Sequence, residues 1–349
     1  MDCFHKAFNT FNKLLLALFL LAGGSHIAYS AQEQNDNTTP SKPQQSSQKQ
    51  ITIIAQHFSS NYSTIAKSLS LSSLADNYRI VNISLDDWKR LKPESELIIS
   101  LGSSPLEELL KNDYQDPVLA ALITAQEWKT LVNQHPAPDS ISAIFYDPDP
   151  QRQIVLGKLL LPLSKSVGVM YSMDSPYFLE GYQAAIKATQ LSLQTVKIQQ
   201  ASEVARQFPA LSQDSDFIIA QPDPIIYNSQ TLPRVLLSSY RQRKIIIGYS
   251  VGLVNAGAVA TTFTTPEMLV DDLRESANKI LTQELDNFIR HSAYYDIKYN
   301  SEVARSLGLD MISKEKLQSE LNKLNLTTYK ANDVESIKPE STTSEKEAL

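Results

Sequence analysis

The chain has 349 residues, 42% of them hydrophobic and 8% aromatic, with 32 Lys and Arg against 38 Asp and Glu for a formal charge of −6. Its length exceeds one ordinary domain of about 100 to 200 residues, and its composition is that of a globular chain and not of a disordered or collagen-like one. The acidic balance, with no basic cluster, excludes nucleic acid and anionic lipid as expected partners, because both are bound through Lys and Arg.

At the N-terminus, Lys6 and Lys13 precede the apolar run Leu14 to Ala22, followed by Gly23, Gly24 and the small-residue site Ala28-Tyr29-Ser30. This order predicts a secretory signal peptide over 1–30, cleaved near Ser30, and therefore export to the periplasm. The run is well short of the ~20 apolar residues that span a bilayer. No later segment is long and apolar enough either, so no membrane span is expected after cleavage. The single cysteine, Cys3, lies ahead of the run and is expected to leave with the leader, so neither a lipid anchor nor a disulfide is expected. Residues 31–50 are rich in Gln, Asn, Ser, Thr and Pro and read as a disordered linker, and 327–349 read as a tail of the same kind.

Between these ends, short apolar β-branched runs alternate with amphipathic ones. Strands are predicted at 51–55, 79–83, 96–101, 118–123, 141–146, 167–171, 195–199, 216–220 and 244–248. Helices are predicted at 62–71, 105–112, 126–134, 151–161, 176–192 and 267–285. The pattern predicts an α/β fold with two doubly wound parallel-sheet lobes. The first lobe is expected over 51–148 with segments returning near 260–292. The second is expected over 149–259 with a segment returning near 293–326. Residues 258–263 and 294–299 are left to supply the extra strands and connections between lobes. No internal repeat is present.

The chemistry of an enzyme is missing. After the first strand stands Gln56-His57-Phe58-Ser59 without a glycine, and Gly102-Ser103-Ser104 has only one, so no nucleotide cofactor is expected. No glycine-flanked nucleophilic serine occurs. His135 and His291 are expected at the surface, with no spacing that suggests a metal or a triad. The pairs Asp86-Asp87, Glu107-Glu108 and Asp271-Asp272 read as solvated charges, since adjacent helical residues do not face one another. Trp88 and Trp128 read as core. No catalytic residue, cofactor or metal is therefore assigned.

What remains is a row of residues at the C-terminal ends of the predicted strands, the edge at which open α/β sheets bind ligands. The row comprises Gln56, His57, Gly102, Ser103, Ser104, Thr124, Tyr146, Asp147, Ser172, Met173, Asp174, Gln221, Asp223, Tyr249 and Ser250. The bland alternative for each is a turn or helix-cap residue. Asp174 and Asp223 are the natural partners for a ligand's ammonium group, and amides at Ser103 and Ser104 for a carboxylate. An amino acid or related zwitterion is the expected ligand. Removing either aspartate is expected to weaken it without lowering the stability of the empty protein.

The stretch Lys244 to Phe263 (KIIIGYSVGLVNAGAVATTF) resembles the second-lobe segment of the substrate-binding proteins of ABC importers related to the tryptophan/tyrosine-binding type. Further matches are Tyr146-Asp147-Pro148 leading into a helix, then Val167 to Ser172, and Tyr299 to Leu309 with its Ala-x-x-Leu-Gly-Leu ending. The resemblance implies a type I periplasmic-binding-protein fold with a three-crossing hinge, a small-molecule ligand, a monomer and separate permease and ATPase subunits. The chain departs from the family pattern at Ser103-Ser104-Pro105, at Ser172-Met173-Asp174 and at Asn255. The alternative reading is an envelope scaffold or regulator of the same fold, mildly favoured by the linker at 31–50.

Overall fold

The computed structural model describes residues 49–172 and 178–324. The leader, most of the linker and the tail predicted from the sequence lie outside them, as do Met173 and Asp174.

The first half of the chain runs β1 (Gln50–Ala55), α1 (Ser60–Ser70), α2 (Leu74–Asn77), β2 (Arg79–Ser84), α3 (Leu85–Leu91), β3 (Leu97–Leu101), α4 (Ser103–Lys111), β4 (Val118–Ile123), α5 (Ala125–Gln134) and β5 (Ile141–Phe145). The second runs α6 (Pro150–Leu160), β6 (Ser166–Ser172), α7 (Phe178–Thr189), β7 (Ser192–Ile198), α8 (Ala201–Gln213), β8 (Phe217–Ile219), α9 (Leu232–Arg241), β9 (Ile245–Ile247), α10 (Val251–Ala256) and β10 (Ala260–Phe263). The chain ends with α11 (Pro266–Leu281), β11 (Ile289–His291), β12 (Asp296–Tyr299), α12 (Ser301–Ser306) and α13 (Lys314–Leu321).

The strands form two six-stranded sheets, ordered β11-β5-β4-β3-β1-β2 and β12-β10-β9-β8-β6-β7. Every pairing is parallel except β10 with β12. The chain therefore passes between the sheets three times: after β5, after β10 and after β11.

Continuous burial along β1, β3 and β5 follows from helices on both faces of the first sheet, which is why these segments read as unbroken apolar runs. One face packs Ile51, Ile53 and Ile99 against Leu69 of α1 and Leu273 of α11. The other packs Ile54 and Ile98 against Trp88, Leu106 and Trp128, so both tryptophans are core as expected. The second sheet repeats this, with α6, α7 and α13 on one face and α8 and α10 on the other.

All nine predicted strands are present, with ends shifted by at most three residues. The predicted helix 176–192 stops earlier, because Gln190 takes a left-handed φ of 57° and Ser192 already opens β7. The helix predicted over 267–285 likewise stops short of Gln283, at φ 58°. One strand, β11, was not predicted. A return to the first lobe was expected near 260–292. Residues 260–263 are β10, held in the second sheet between β9 and β12, and the crossing begins at Thr264.

Candidate functional site

In parallel sheets the C-terminal strand ends share one edge. On the first sheet this edge carries Gln56 and His57 after β1, Gly102 to Ser104 after β3, Thr124 after β4, and Tyr146 and Asp147 after β5. His57 and Ser104 are exposed, while Gln56 and Ser103 are half-buried. Gly102 sits at φ 92°, and a Cβ there would lie 2.9 Å from the Tyr62 hydroxyl, so α1 delivers a tyrosine directly over the β3 turn. In β4, Leu122 takes a left-handed φ of 54° and the register with β5 shifts between Ala120 and Ile123. Such bulges re-aim the following residues.

Thr124 closes a capping box on α5. Its hydroxyl accepts from Glu127 N at 3.1 Å, and the Glu127 carboxylate accepts from Thr124 N at 2.7 Å. Its side chain thus serves the helix, the bland alternative for this residue. Asp147 is also committed: its buried carboxylate accepts from Ala125 N at 3.0 Å, and burial pushes its pKa up. Tyr146 stays 43% exposed beside it. Burial, Glu127, Asp147 and Tyr62 all push the Tyr146 phenol pKa up, in that order.

On the second sheet the edge carries Ser172 after β6, Gln221 and Asp223 after β8, and Tyr249 and Ser250 after β9. The buried Asp223 carboxylate accepts from Ser172 N at 2.8 Å, Ile225 N at 3.0 Å and Ile226 N at 3.3 Å. It joins β6 to the β8 loop, a structural task beside the ligand role expected of it. Ser250 caps α10, accepting from Leu253 N at 3.2 Å. Gln221 is fully buried: its amide donates to Met170 O at 3.2 Å, while its Oε1 has no partner among the described residues. Tyr249 is half-buried, its ring 6.0 Å from that of Tyr227 at 60°. The Tyr227 hydroxyl is buried without a partner among the described residues. Burial first, then Asp223, Tyr182 and Tyr249, push the Tyr227 pKa up. Tyr182 on α7 is also buried, and burial first, then Asp147 and Asp149, push its pKa up.

Polar contacts tie the three crossings together. Asp149 caps α6 by accepting from Gln151 N and Arg152 N. The buried Arg152 donates to Ser292 O at 2.8 Å and lies 4.0 Å over the Tyr295 ring. Gln153 donates to Gly248 O at 2.5 Å and accepts from Thr262 N at 3.1 Å. Asp272 takes both Arg290 nitrogens, at 2.9 and 2.5 Å, and also accepts from Ser292 Oγ and Ala293 N. It is 1% exposed, which corrects its reading as a solvated charge. Arg290 lies in β11 and supplies the opposite charge. His291 is corrected from surface to buried for the same reason: β11 inserts beside β5, and the ring Nδ1 sits 3.0 Å from Asp147 O.

The structure therefore puts the described predicted residues on two sheet edges but gives several of them structural work, while Met173 and Asp174 lie outside the described residues. It adds Tyr62, Tyr182 and Tyr227, which sequence reasoning missed because they lie on helices and a loop where an aromatic reads as packing. Among the described residues no group of three His, Cys, Asp or Glu side chains is placed to hold a metal.

Solved structures share this architecture. The ligand-free, open structure of a Clostridium difficile substrate binding protein with adhesive properties matches with a TM-score of 0.59 at 19% identity, over 76% of this chain and 97% of that one. A conserved domain protein from Vibrio cholerae matches at 0.50 and 14%, over 78% and 98%. An ABC domain from Streptococcus pneumonia in complex with L-Trp matches at 0.49 and 20%, also over 78% and 98%. No curated protein matches the sequence. The sequence profile described as ABC transporter substrate binding protein matches residues 60–293, from the start of α1 through β11 to the third crossing. Covering well over half of the chain, that match, on a fold of two parallel-dominant sheets crossed three times, places the protein in the family of ABC transporter substrate binding proteins.

Proposed function

We propose that this protein is the exported solute-binding component of an ABC-type importer and holds an amino acid or related zwitterion between its two strand-end edges. The observation that supports this reading is that Tyr146, after β5 of the first sheet, and Tyr249, after β9 of the second, each stay partly open to solvent at a strand-end edge. Asp223 acts on the ligand's ammonium through its charge, since its oxygens already accept three backbone amides. The amides opening α4 at Ser103 and Ser104 receive the carboxylate. A ligand touching both edges favours the closed arrangement by the contacts that only closure supplies. Among the described residues no helix is long and apolar enough to cross a membrane. Transport is assigned to separate permease and ATPase subunits, which read the closed monomer.

The test is a thermal-shift screen of the full chain against amino acids, short peptides and sugars. A ligand that binds only the folded state raises the melting temperature in proportion to ln(1 + [L]/Kd). A concentration-dependent rise with at least one amino acid or zwitterion is expected. No shift with any solute would sink the reading.

A further inference from the structure

We propose that the adjacent tyrosines of the third crossing, Tyr294 and Tyr295, are positioning residues that set how the two lobes turn against each other, each hydroxyl anchoring the crossing to a helix of a different lobe. The consequence for solute affinity rests on the reading that the lobes close on a solute, whereas the anchoring is a property of the empty protein.

The chain passes between the sheets in three short segments, and a hinge absorbs its motion in a few such residues. On the first-lobe side, the Tyr294 hydroxyl donates to Glu275 Oε2 at 2.7 Å. Glu275 stands on α11, whose Leu269, Leu273 and Ala277 are buried with Ile51, Ile53 and Ile99 of the first sheet. On the second-lobe side, the Tyr295 hydroxyl donates to Asn322 Oδ1 at 2.8 Å, and Gln318 Nε2 donates to the same oxygen at 3.0 Å. Asn322 caps the end of α13, whose Leu317 and Leu321 are buried with Ile154, Leu156 and Leu160 of α6 in the core of the second sheet. Neighbouring residues thus hold opposite lobes. The backbone between them is fixed as well, since Tyr294 O accepts from Thr264 Oγ1 of the second crossing at 2.9 Å and from Ser292 Oγ at 3.0 Å. With the Arg152 guanidinium 4.0 Å over its face, the Tyr295 ring is gripped by α6 and its hydroxyl by α13.

Burial separates these two bonds from the rest of the hinge. Asp272, with its Arg290 partner, is buried and belongs to the frame. Tyr294 is 39% exposed, and Glu275 and Asn322 are open to solvent. Either hydroxyl exchanges its protein partner for water at small cost, so the bonds break without unfolding a lobe. Bonds of that kind bias an equilibrium between arrangements, and the apparent affinity for a solute follows the fraction of the chain in the competent one.

The experiment is pulsed electron paramagnetic resonance on the full chain without solute, carrying Cys3→Ser and spin labels at Leu91→Cys on α3 and Leu163→Cys beyond α6, two exposed positions on opposite lobes. Tyr294→Phe and Tyr295→Phe each remove one hydroxyl and keep the ring. Each is expected to shift the interlobe distance distribution, moving population between arrangements by about two- to tenfold, the scale of one hydrogen bond, with the melting temperature within about 4 °C of the wild type. Asn322→Ala should reproduce Tyr295→Phe, and the two together should shift the distances no further than either alone. Glu275→Gln keeps an acceptor for Tyr294 and should match the wild type, whereas Glu275→Ala should follow Tyr294→Phe. Tyr240→Phe, on an exposed ring of α9, is the control and should leave the distances unchanged. Unaltered distances in both tyrosine variants, whatever their melting temperatures, would overturn the proposal, and so would an equal shift in Tyr240→Phe. Because no solute enters this measurement, a thermal-shift screen that finds none sinks the solute-binding reading and leaves the anchors standing or falling on the distances.

Discussion

Asp223 and Asp147 show how a carboxylate at a sheet edge becomes part of the frame. Replacing Asp223 by Ala leaves the amides of Ser172 and Ile225 without their side-chain acceptor, while Ile226 N keeps the Asp223 carbonyl, at about 1–3 kcal/mol for each unsatisfied buried group. A lower urea midpoint of the empty protein is expected, and an unchanged midpoint would contradict the assigned bonds. Asp147 behaves differently, because burial raises its pKa in the folded state above that of the unfolded chain. Its contribution to stability is full below the unfolded value and is lost as pH rises through the raised folded one. Asp147→Asn keeps an acceptor for Ala125 N and removes the buried charge. The variant is expected to be at least as stable as the wild type at neutral pH, with the difference vanishing in acid. Denaturation curves at both pH values check this. At Gly102, any side chain meets both a left-handed φ and the Tyr62 hydroxyl, so Gly102→Ala is expected to cost about 1–3 kcal/mol.

At the scale of elements, the inner strands β1, β3, β4 and β5 were legible because both of their faces are buried, which leaves an unbroken apolar run to read. Three kinds of feature were not. The β11 strand is only Ile289-Arg290-His291, and its place beside β5 depends on a pairing almost 150 positions away, with residues 143–145. Its Arg290 and the distant Asp272 each look like surface charges until the fold pairs them. Tyr62, Tyr182 and Tyr227 share the periodicity of core aromatics. Conversely, Thr124 and Ser250 were readable at strand ends, yet cap chemistry explains their side chains fully. A related contact joins β6 to β8: the Asp216 carboxylate accepts from Lys165 N at 2.6 Å and Ser166 N at 3.0 Å. Burial works to raise its pKa, but these amides, the Ser166 hydroxyl and Lys244 outweigh it and hold the value below the usual one. Its stabilising contribution is therefore present above the unfolded carboxylate value and lost as pH falls through the depressed one. Asp216→Ala should remove that part of the acid sensitivity, seen as a flatter stability profile below about pH 4.

For the whole molecule, the three crossings form one polar network in which Asp149, Arg152, Gln153, Asp272 and Arg290 hold the strand ends of both sheets in place. Breaking its buried ion pair with Asp272→Ala strands Arg290 and is expected to cost about 3–5 kcal/mol, measurable by chemical denaturation. The two-sheet frame was readable from strand count and from the resemblance carried by Lys244 to Phe263. The contacts of the strand-end loops were less so, since they arise where segments far apart in sequence meet. The most direct measurement is calorimetric titration with whichever solute raises the melting temperature, carried out on the wild type and on Tyr146→Ala and Tyr249→Ala. A solute held between the sheets requires both variants to weaken binding, by about tenfold each, with the empty proteins melting near the wild-type temperature. Undiminished affinity in either variant would contradict a ligand clasped by both edges.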